Sequence, residues 1–427
     1  MTTLDRSLAP SLQPVTQLHL QPPQAVKLNN GLQTYLFNTE TQDIILIKLI
    51  FNAGKWQEPQ PLVAKFTNSL IEEGTAHFTS RQLAEKIEFY GANLITRTGA
   101  NHAEVNLSCL TRHLPHLLPI LQELVTQATF PEQELQTEKQ KARQRLAVAQ
   151  QKNDYLAEQR FKALLYGSSH PYGYPTTPDA INAIQTSMLH AFYHTHYTPA
   201  NCTAYIGGKF TNQHLQLINR YLGATTWNSP PPPQHTIAPA PPYQPAKEYI
   251  SKPGSLQAAL FIGKPMFSKN HPHYMPLLFV NTLLGGFFGS RLMRNIREDK
   301  GYTYGIYSAL VSMLQSGYFY IAAEVGQNVW QAAVEEIYKE IHRLQTQPVA
   351  PNELLTAKNY TLGKLLGQID GTINTLATVQ GLYMYGLTET HYTQLVQMVQ
   401  NMTSEEVNHY AQLYLNPNSL TQVVAGA

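Results

Sequence analysis

The chain has 427 residues, 43% of them hydrophobic and 14% charged, with a formal net charge of +2 at neutral pH. That length exceeds one ordinary domain and can supply two substantial cores. The dispersed, nearly balanced charge argues against nucleic acid or an anionic membrane as the partner.

Residues 1–20 carry Ser, Thr, Pro and Gln without a continuous apolar stretch. They are expected to form a flexible leader rather than a signal peptide or a membrane anchor. Cys109 and Cys202 each sit inside an apolar, strand-like run. Buried thiols and a cytoplasmic location are therefore expected.

Asn29-Asn30-Gly31 reads as a hairpin turn, followed by strands over Leu32–Phe37 and Ile44–Phe51. Val63–Glu73 has helical periodicity, with Gly74 as its stop, and a second helix follows Thr79 and Ser80. Strands are expected over Asn93–Arg97 and Ala103–Leu110, and a strongly periodic helix over His113–Gln127. A long polar helical segment runs from Pro131 towards Gln151, and Phe161, Leu164 and Leu165 continue the helical pattern. The first half closes with a helix near Met188–His194, the motif Tyr197-Thr198-Pro199-Ala200-Asn201 and a strand through Tyr205.

Composition then changes. Residues 229–246 contain eight prolines and read as an extended linker between a first domain, 21–228, and a second, 247–427. Landmarks recur across it: Pro131-Glu132-Gln133-Glu134 with Pro351-Asn352-Glu353, Tyr166-Gly167 with Tyr385-Gly386, and Pro199-Ala200-Asn201 with Pro417-Asn418. The offset stays at 218 to 220 residues, which indicates a duplicated domain rather than a short repeat. The expected fold is α+β: two homologous domains, each a mainly antiparallel sheet with helices packed on one side.

In the second domain, Gly285-Gly286-Phe287-Phe288-Gly289 leads to Ser290, a suitable helix N-cap. Leu292, Met293 and Ile296 then recur at helical spacing, Gly301 supplies a stop, and Tyr302, Tyr304 and Ile306 alternate as on one face of a strand. Arg297 thus falls in the last helical turn and Tyr304 on the strand leaving it. A guanidinium and a phenol are donors suited to a substrate carbonyl and to the oxyanion that develops when it is attacked.

The duplicated architecture, together with Asn30-Gly31, Ala53-Gly54, Glu73-Gly74-Thr75, His170-Pro171 with Gly173, Tyr197 with Pro199 and Asn201, and the glycine-rich stretch with Arg297 and Tyr304, resembles the pitrilysin and mitochondrial-processing-peptidase family of zinc peptidases. The resemblance implies a LuxS/pitrilysin metallohydrolase-like duplication. In catalytic members the first helix carries His-x-x-Glu-His shortly before a Gly-Thr pair: the histidines bind zinc, the glutamate activates water, and a downstream glutamate completes the site. Here the corresponding positions hold Lys65, Asn68 and Ser69, and the stretch from Lys139 to Asn153 offers Gln144 and Arg145 but no carboxylate. An ammonium repels Zn²⁺ and an amide is no general base, so no metal is expected in this chain.

The resemblance also implies that the second half supplies Arg297 and Tyr304 to an active site, with Gly285, Gly286 and Gly289 forming a flexible wall near the substrate. Members of this length often pair as unlike subunits. The expected activity is therefore that of a noncatalytic subunit of a heterodimeric zinc endopeptidase acting on unstructured peptides, with zinc in a partner that carries His-x-x-Glu-His. Two alternatives stand beside it: a structural or assembly protein like the inactive core subunits of respiratory complexes, and a homodimeric hydrolase with another metal site. His190, His194 and His196 are read as packing or surface groups, Arg291 and Arg294 as a polar face or subunit contacts, and the glycines not as a phosphate loop.

Overall fold

The computed structural model describes residues 15, 17–39, 42–224, 227 and 239–426. In the first half, β1 (Gln24–Lys27), β2 (Gln33–Asn38) and β3 (Ile44–Phe51) precede α1 (Val63–Leu70) and α2 (Ser80–Phe89). Then come β4 (Asn93–Thr98), β5 (Ala103–Leu110), α3 (Leu114–Thr126), α4 (Glu132–Ala149), α5 (Asn153–Tyr166), α6 (Pro178–Ala183), α7 (Thr186–His196), β6 (Cys202–Gly208) and α8 (Asn212–Leu222). The second half opens with β7 (Lys247–Ile250), β8 (Gln257–Met266) and α9 (Tyr274–Asn281). It continues with β9 (Thr303–Ser312), β10 (Gly317–Gly326), α10 (Trp330–Thr346), α11 (Pro351–Gln368), α12 (Gly371–Tyr383), α13 (Glu389–Asn401), α14 (Ser404–Tyr414) and β11 (Thr421–Ala425).

The sheets run β1-β2-β6-β3-β5-β4 and β7-β11-β8-β10-β9. Leaving out β1, the orders coincide, and each sheet has one parallel pair at the same place, β2 with β6 and β7 with β11. The duplication read from sequence landmarks is thus a duplication of topology.

Alternation along the strands decides what each sheet face meets. On β3, Ile45, Ile47, Leu49 and Phe51 are fully buried against the first half's helices. On β8, Ala258, Leu260 and Ile262 join the second half's core with Ile337 and Ile341 of α10. Each such large apolar side chain contributes about 1.5–3 kcal/mol by its burial.

The opposite faces are also covered, and here the structure adds to the expectation of helices on one side. Helix α5 crosses to the second sheet, where Ala157, Phe161 and Leu165 pack on Ala259, Phe261 and Val423. Helix α12 makes the reciprocal crossing: a side chain built on Gly207 of β6 would meet Leu376 at 3.1 Å, and Tyr35 of β2 packs edge-on to Tyr383 at 4.7 Å. Polar ties reinforce the exchange, with Lys48 Nζ donating to Gln380 Oε1 and Gln380 Nε2 donating to Glu104 Oε1 at 3.1 Å.

Three sequence-based expectations shift. Helix α1 ends at Leu70, not Glu73, and Gly74 (φ 155°) forms an isolated bridge with Thr79 that starts the next helix. The leader is not flexible to its end: Leu18 and Leu20 are buried in the second half's core, because even a short apolar pair gains by covering it. Of the proline-rich linker, residues 239–246 run without helix or strand into β7, while 229–238 lie outside the described residues.

Candidate functional site

Two regions carry the candidate residues, one on α1 and one between α9 and β9. On α1, Lys65 is exposed, Asn68 is buried and Ser69 is half-buried. Asn68 spends its amide on the fold. Its Nδ2 donates to the carbonyls of Arg97 (2.9 Å) and Glu104 (3.2 Å), and its Oδ1 accepts from the Tyr197 hydroxyl at 2.9 Å. It pins α1 to the strands β4 and β5 and to the tyrosine of the Tyr-x-Pro-x-Asn motif. Asn201 closes that motif by donating to His196 O (2.8 Å) and Asn52 O (3.1 Å).

Lys65 faces Arg145 and Glu138 of α4. Its ammonium pKa is lowered by burial and by Arg145, with Glu138 opposing. Arg145 is itself ion-paired to Glu138. Two cations, one carboxylate already paired to one of them, an amide committed to three hydrogen bonds and a hydroxyl do not make a zinc site. Among the described residues no group of three or more His, Cys, Asp or Glu is placed to hold a metal ion.

The second region is built differently. Helix α9 continues into a π-helical stretch, Thr282–Gly286, and after the turn 287–290 the next helix is π-helical over Met293–Asp299. Widened turns of this kind re-aim side chains and often mark functional segments. Gly285 is buried where a Cβ would lie 2.7 Å from Ser308 N and 2.9 Å from Leu292, so its role is close approach to β9 rather than exposure to a substrate. Gly286 and Gly289 are half-buried. Ser290 stands just before the helix, yet its hydroxyl is buried without a hydrogen-bond partner among the described residues, so it does not cap through its side chain. Its carbonyl instead accepts from Arg294 N at 3.0 Å. Gly301 (φ 65°) does end the helix in the left-handed region.

Leu292, Met293 and Ile296 are buried, which leaves Arg297 on the outward side. Its guanidinium lies over the rings of Phe288 (4.7 Å) and Tyr304 (5.2 Å). Both rings are open to solvent, Phe288 61% exposed and Tyr304 91%. Tyr304 does not share a face with Ile306 as the alternation suggested. Ile306 pairs with Ala323 but Thr303 with Val325, so Tyr304 and Gly305 together oppose Glu324 alone in a β-bulge. Thr303 Oγ1 fixes that bulge by donating to Glu324 O (2.5 Å) and accepting from Gly305 N (3.1 Å). The bulge turns the phenol outwards.

Phe288 was missed from sequence. Its signal was the Phe-Phe pair inside a glycine turn, where one ring can be buried and the other presented: Phe287 stacks on Tyr360 at 4.7 Å while Phe288 meets Arg297. A cavity of about 500 Å³ adjoins Tyr304, bordered by Tyr307, Tyr320, Glu324 and, from α5 of the first half, Asp154 and Glu158. Burial and Asp154 push the Glu324 carboxyl up from its ordinary range. The remaining candidates have structural uses. Arg291 makes a two-pronged ion pair with Glu353 (2.7 and 3.0 Å), and the His190 and His194 rings stack at 6.1 Å beside Phe130.

Residues 34–175 match Insulinase (Peptidase family M16), and residues 183–361 match Peptidase M16 inactive domain. The chain belongs to peptidase family M16. Among M16 relatives, the "Uncharacterized zinc protease YmxG" of Bacillus subtilis (strain 168) is 24% identical over 347 residues, 80% of this chain and 83% of the relative. The "Non-peptidase homolog YmxG" of Helicobacter pylori is 25% identical over 376 residues, 84% and 83% of the two chains. The crystal structure of a peptidase M16 inactive domain from Pseudomonas fluorescens superimposes with a TM-score of 0.86 at 23% identity, covering 94% of this chain and 98% of that one. The two-domain α+β fold is therefore the M16 fold, and residues 183–361 match the inactive domain of that family.

Proposed function

We propose that this M16 chain is the noncatalytic subunit of a heterodimeric zinc endopeptidase that degrades unstructured peptides in the cytoplasm. A partner with His-x-x-Glu-His would hold the zinc that polarises the scissile carbonyl, and this chain would present Arg297 and Tyr304 to it in trans. The observation that carries the reading is the contrast between an α1 whose zinc positions are unfit for metal and an Arg297 held between two exposed rings, without a carboxylate partner among the described residues.

In this reading the rings fix the guanidinium without neutralising it, since a cation over aromatic faces keeps its N–H edges free. Those donors and the Tyr304 hydroxyl would bind the substrate carbonyl and stabilise the oxyanion that replaces it. The Asp154, Glu158 and Glu324 carboxylates beside Tyr304 suit a peptide side chain of basic character.

The test is to mix the protein with a candidate His-x-x-Glu-His partner and follow cleavage of an unstructured peptide. Arg297→Ala is expected to lower kcat/KM by about a hundredfold and Tyr304→Phe by about tenfold, with the complex intact. Unchanged activity in both variants rejects the trans role. A stable complex without peptidase activity under any pairing would instead support a structural or assembly protein.

A further inference from the structure

Away from Arg297, the second half holds a cavity of about 570 Å³, open to solvent on one side, between α9, α11, α12 and α13. This size falls in the range of small-molecule sites. Its walls are largely apolar, with Met275, Leu278, Leu365, Leu382 and Leu395 among them, while Lys269, Lys364 and His391 supply basic groups. None of the lining residues is acidic. A cavity of this kind offers an apolar body and an unmatched positive charge to the same occupant.

Lys269 shows the imbalance most clearly. Its Nζ donates to the Gly381 carbonyl at 3.2 Å and lies over the Tyr385 ring at 4.9 Å, and it forms no ion pair among the described residues. Burial holds its pKa down, and burial together with Lys269 holds that of His391 down. A half-buried ammonium satisfied by one carbonyl and one ring is stabilised further by any anion that can reach it without rehydrating the site. Thr282, the first residue of the π-helical stretch, also lines the cavity, as does Tyr360, on which Phe287 stacks. An occupant would therefore touch the root of the glycine turn that carries Phe288.

We propose that this cavity binds a fatty carboxylate, its chain against the leucines of α11, α12 and α13 and its head group against Lys269 and His391. The proposal is independent of the peptidase-subunit reading, because no residue of the Arg297 site lines the cavity.

The probe is decanoate, titrated calorimetrically into the full-length protein alongside decanol and decylammonium. Decanoate should bind saturably at one site, at least about tenfold more tightly than either control. Lys269→Met should remove that preference while leaving decanol binding unchanged. Gly381→Leu should abolish binding of both: a Cβ at Gly381 meets nothing within 4 Å, and the helix it joins gains a better former, so the variant should fold with an undiminished Tm. Equal affinity for decanoate and decylammonium, retained preference in Lys269→Met, or retained binding in Gly381→Leu would each overturn the proposal. So would a short peptide with a free C-terminal carboxylate binding more tightly than decanoate.

Discussion

Helix α1 and the segment between α9 and β9 lie in corresponding stretches of the two halves, between β3 and β4 in the first and between β8 and β9 in the second. In the first, Asn68 is turned inward, where it joins two strand carbonyls and Tyr197. In the second, Arg297, Phe288 and Tyr304 are turned outward, touching one another and little else. A group whose hydrogen bonds are satisfied within the chain serves the fold. One exposed and held by rings alone is placed to meet something outside it. The two halves therefore differ in use: the first spends Asn68 on scaffold, and the second presents a surface.

The largest effect that would break this comparison belongs to Asn68. Asn68→Ala leaves the Arg97 and Glu104 carbonyls and the buried Tyr197 hydroxyl without their Asn68 partner, and a loss of about 2–4 kcal/mol is expected from urea unfolding. Asn68→Asp should be at least as damaging, since a carboxylate cannot donate to either carbonyl. A neutral result for Asn68→Ala would return that position to the list of functional candidates.

The next effect concerns the entry to α1. Glu58 is buried, accepts from Ala64 N at 3.0 Å and from the Tyr174 hydroxyl, and its carboxyl is pushed up to about 7 by burial. A folded pKa above the unfolded one means that the native state holds the proton more tightly. Stability should therefore fall as pH rises from about 4.5 to 7 and level off above, by up to about 3 kcal/mol for this group. Glu58→Gln should flatten that slope and raise Tm at pH 8 but not at pH 4.5, as read by thermal unfolding across the range. An unchanged slope would mean that other groups, such as Glu72, also pushed up to about 7, dominate it.

Much of the architecture was legible because it depends on periodicity and turn chemistry. Ile44–Phe51 and Ala103–Leu110 are strands with the bounds read from sequence, and the repeated landmarks foretold the matching sheet orders. The exchange of α5 and α12 between halves was not legible. Both are weakly patterned helices whose apolar residues say that they are covered, not by which sheet. Tyr304's exposure escaped for another reason: one extra residue in β9 inverts a face, and only pairing with β10 reveals it. Counting back from Gly74-Thr75 singles out Lys65, Asn68 and Ser69, but the hydrogen bonds of Asn68 depend on contacts 29, 36 and 129 residues away in sequence.

The smallest expected effect is the sharpest test of the division between the halves. If Arg297 and Tyr304 are kept for an outside contact, the isolated chain should scarcely notice their loss. Arg297→Ala removes two solvent-exposed cation–ring contacts, about 0.5–1 kcal/mol in all, and Tyr304→Phe removes a hydroxyl that forms no hydrogen bond among the described residues, with a change within about 0.5 kcal/mol. Urea midpoints of the two variants should thus lie close to the parent and far above Asn68→Ala. A destabilisation of Arg297→Ala comparable to that of Asn68→Ala would show that the cluster is scaffold as well. Arg297 would then owe its position to folding, and the case for a presented site would rest on Tyr304 alone.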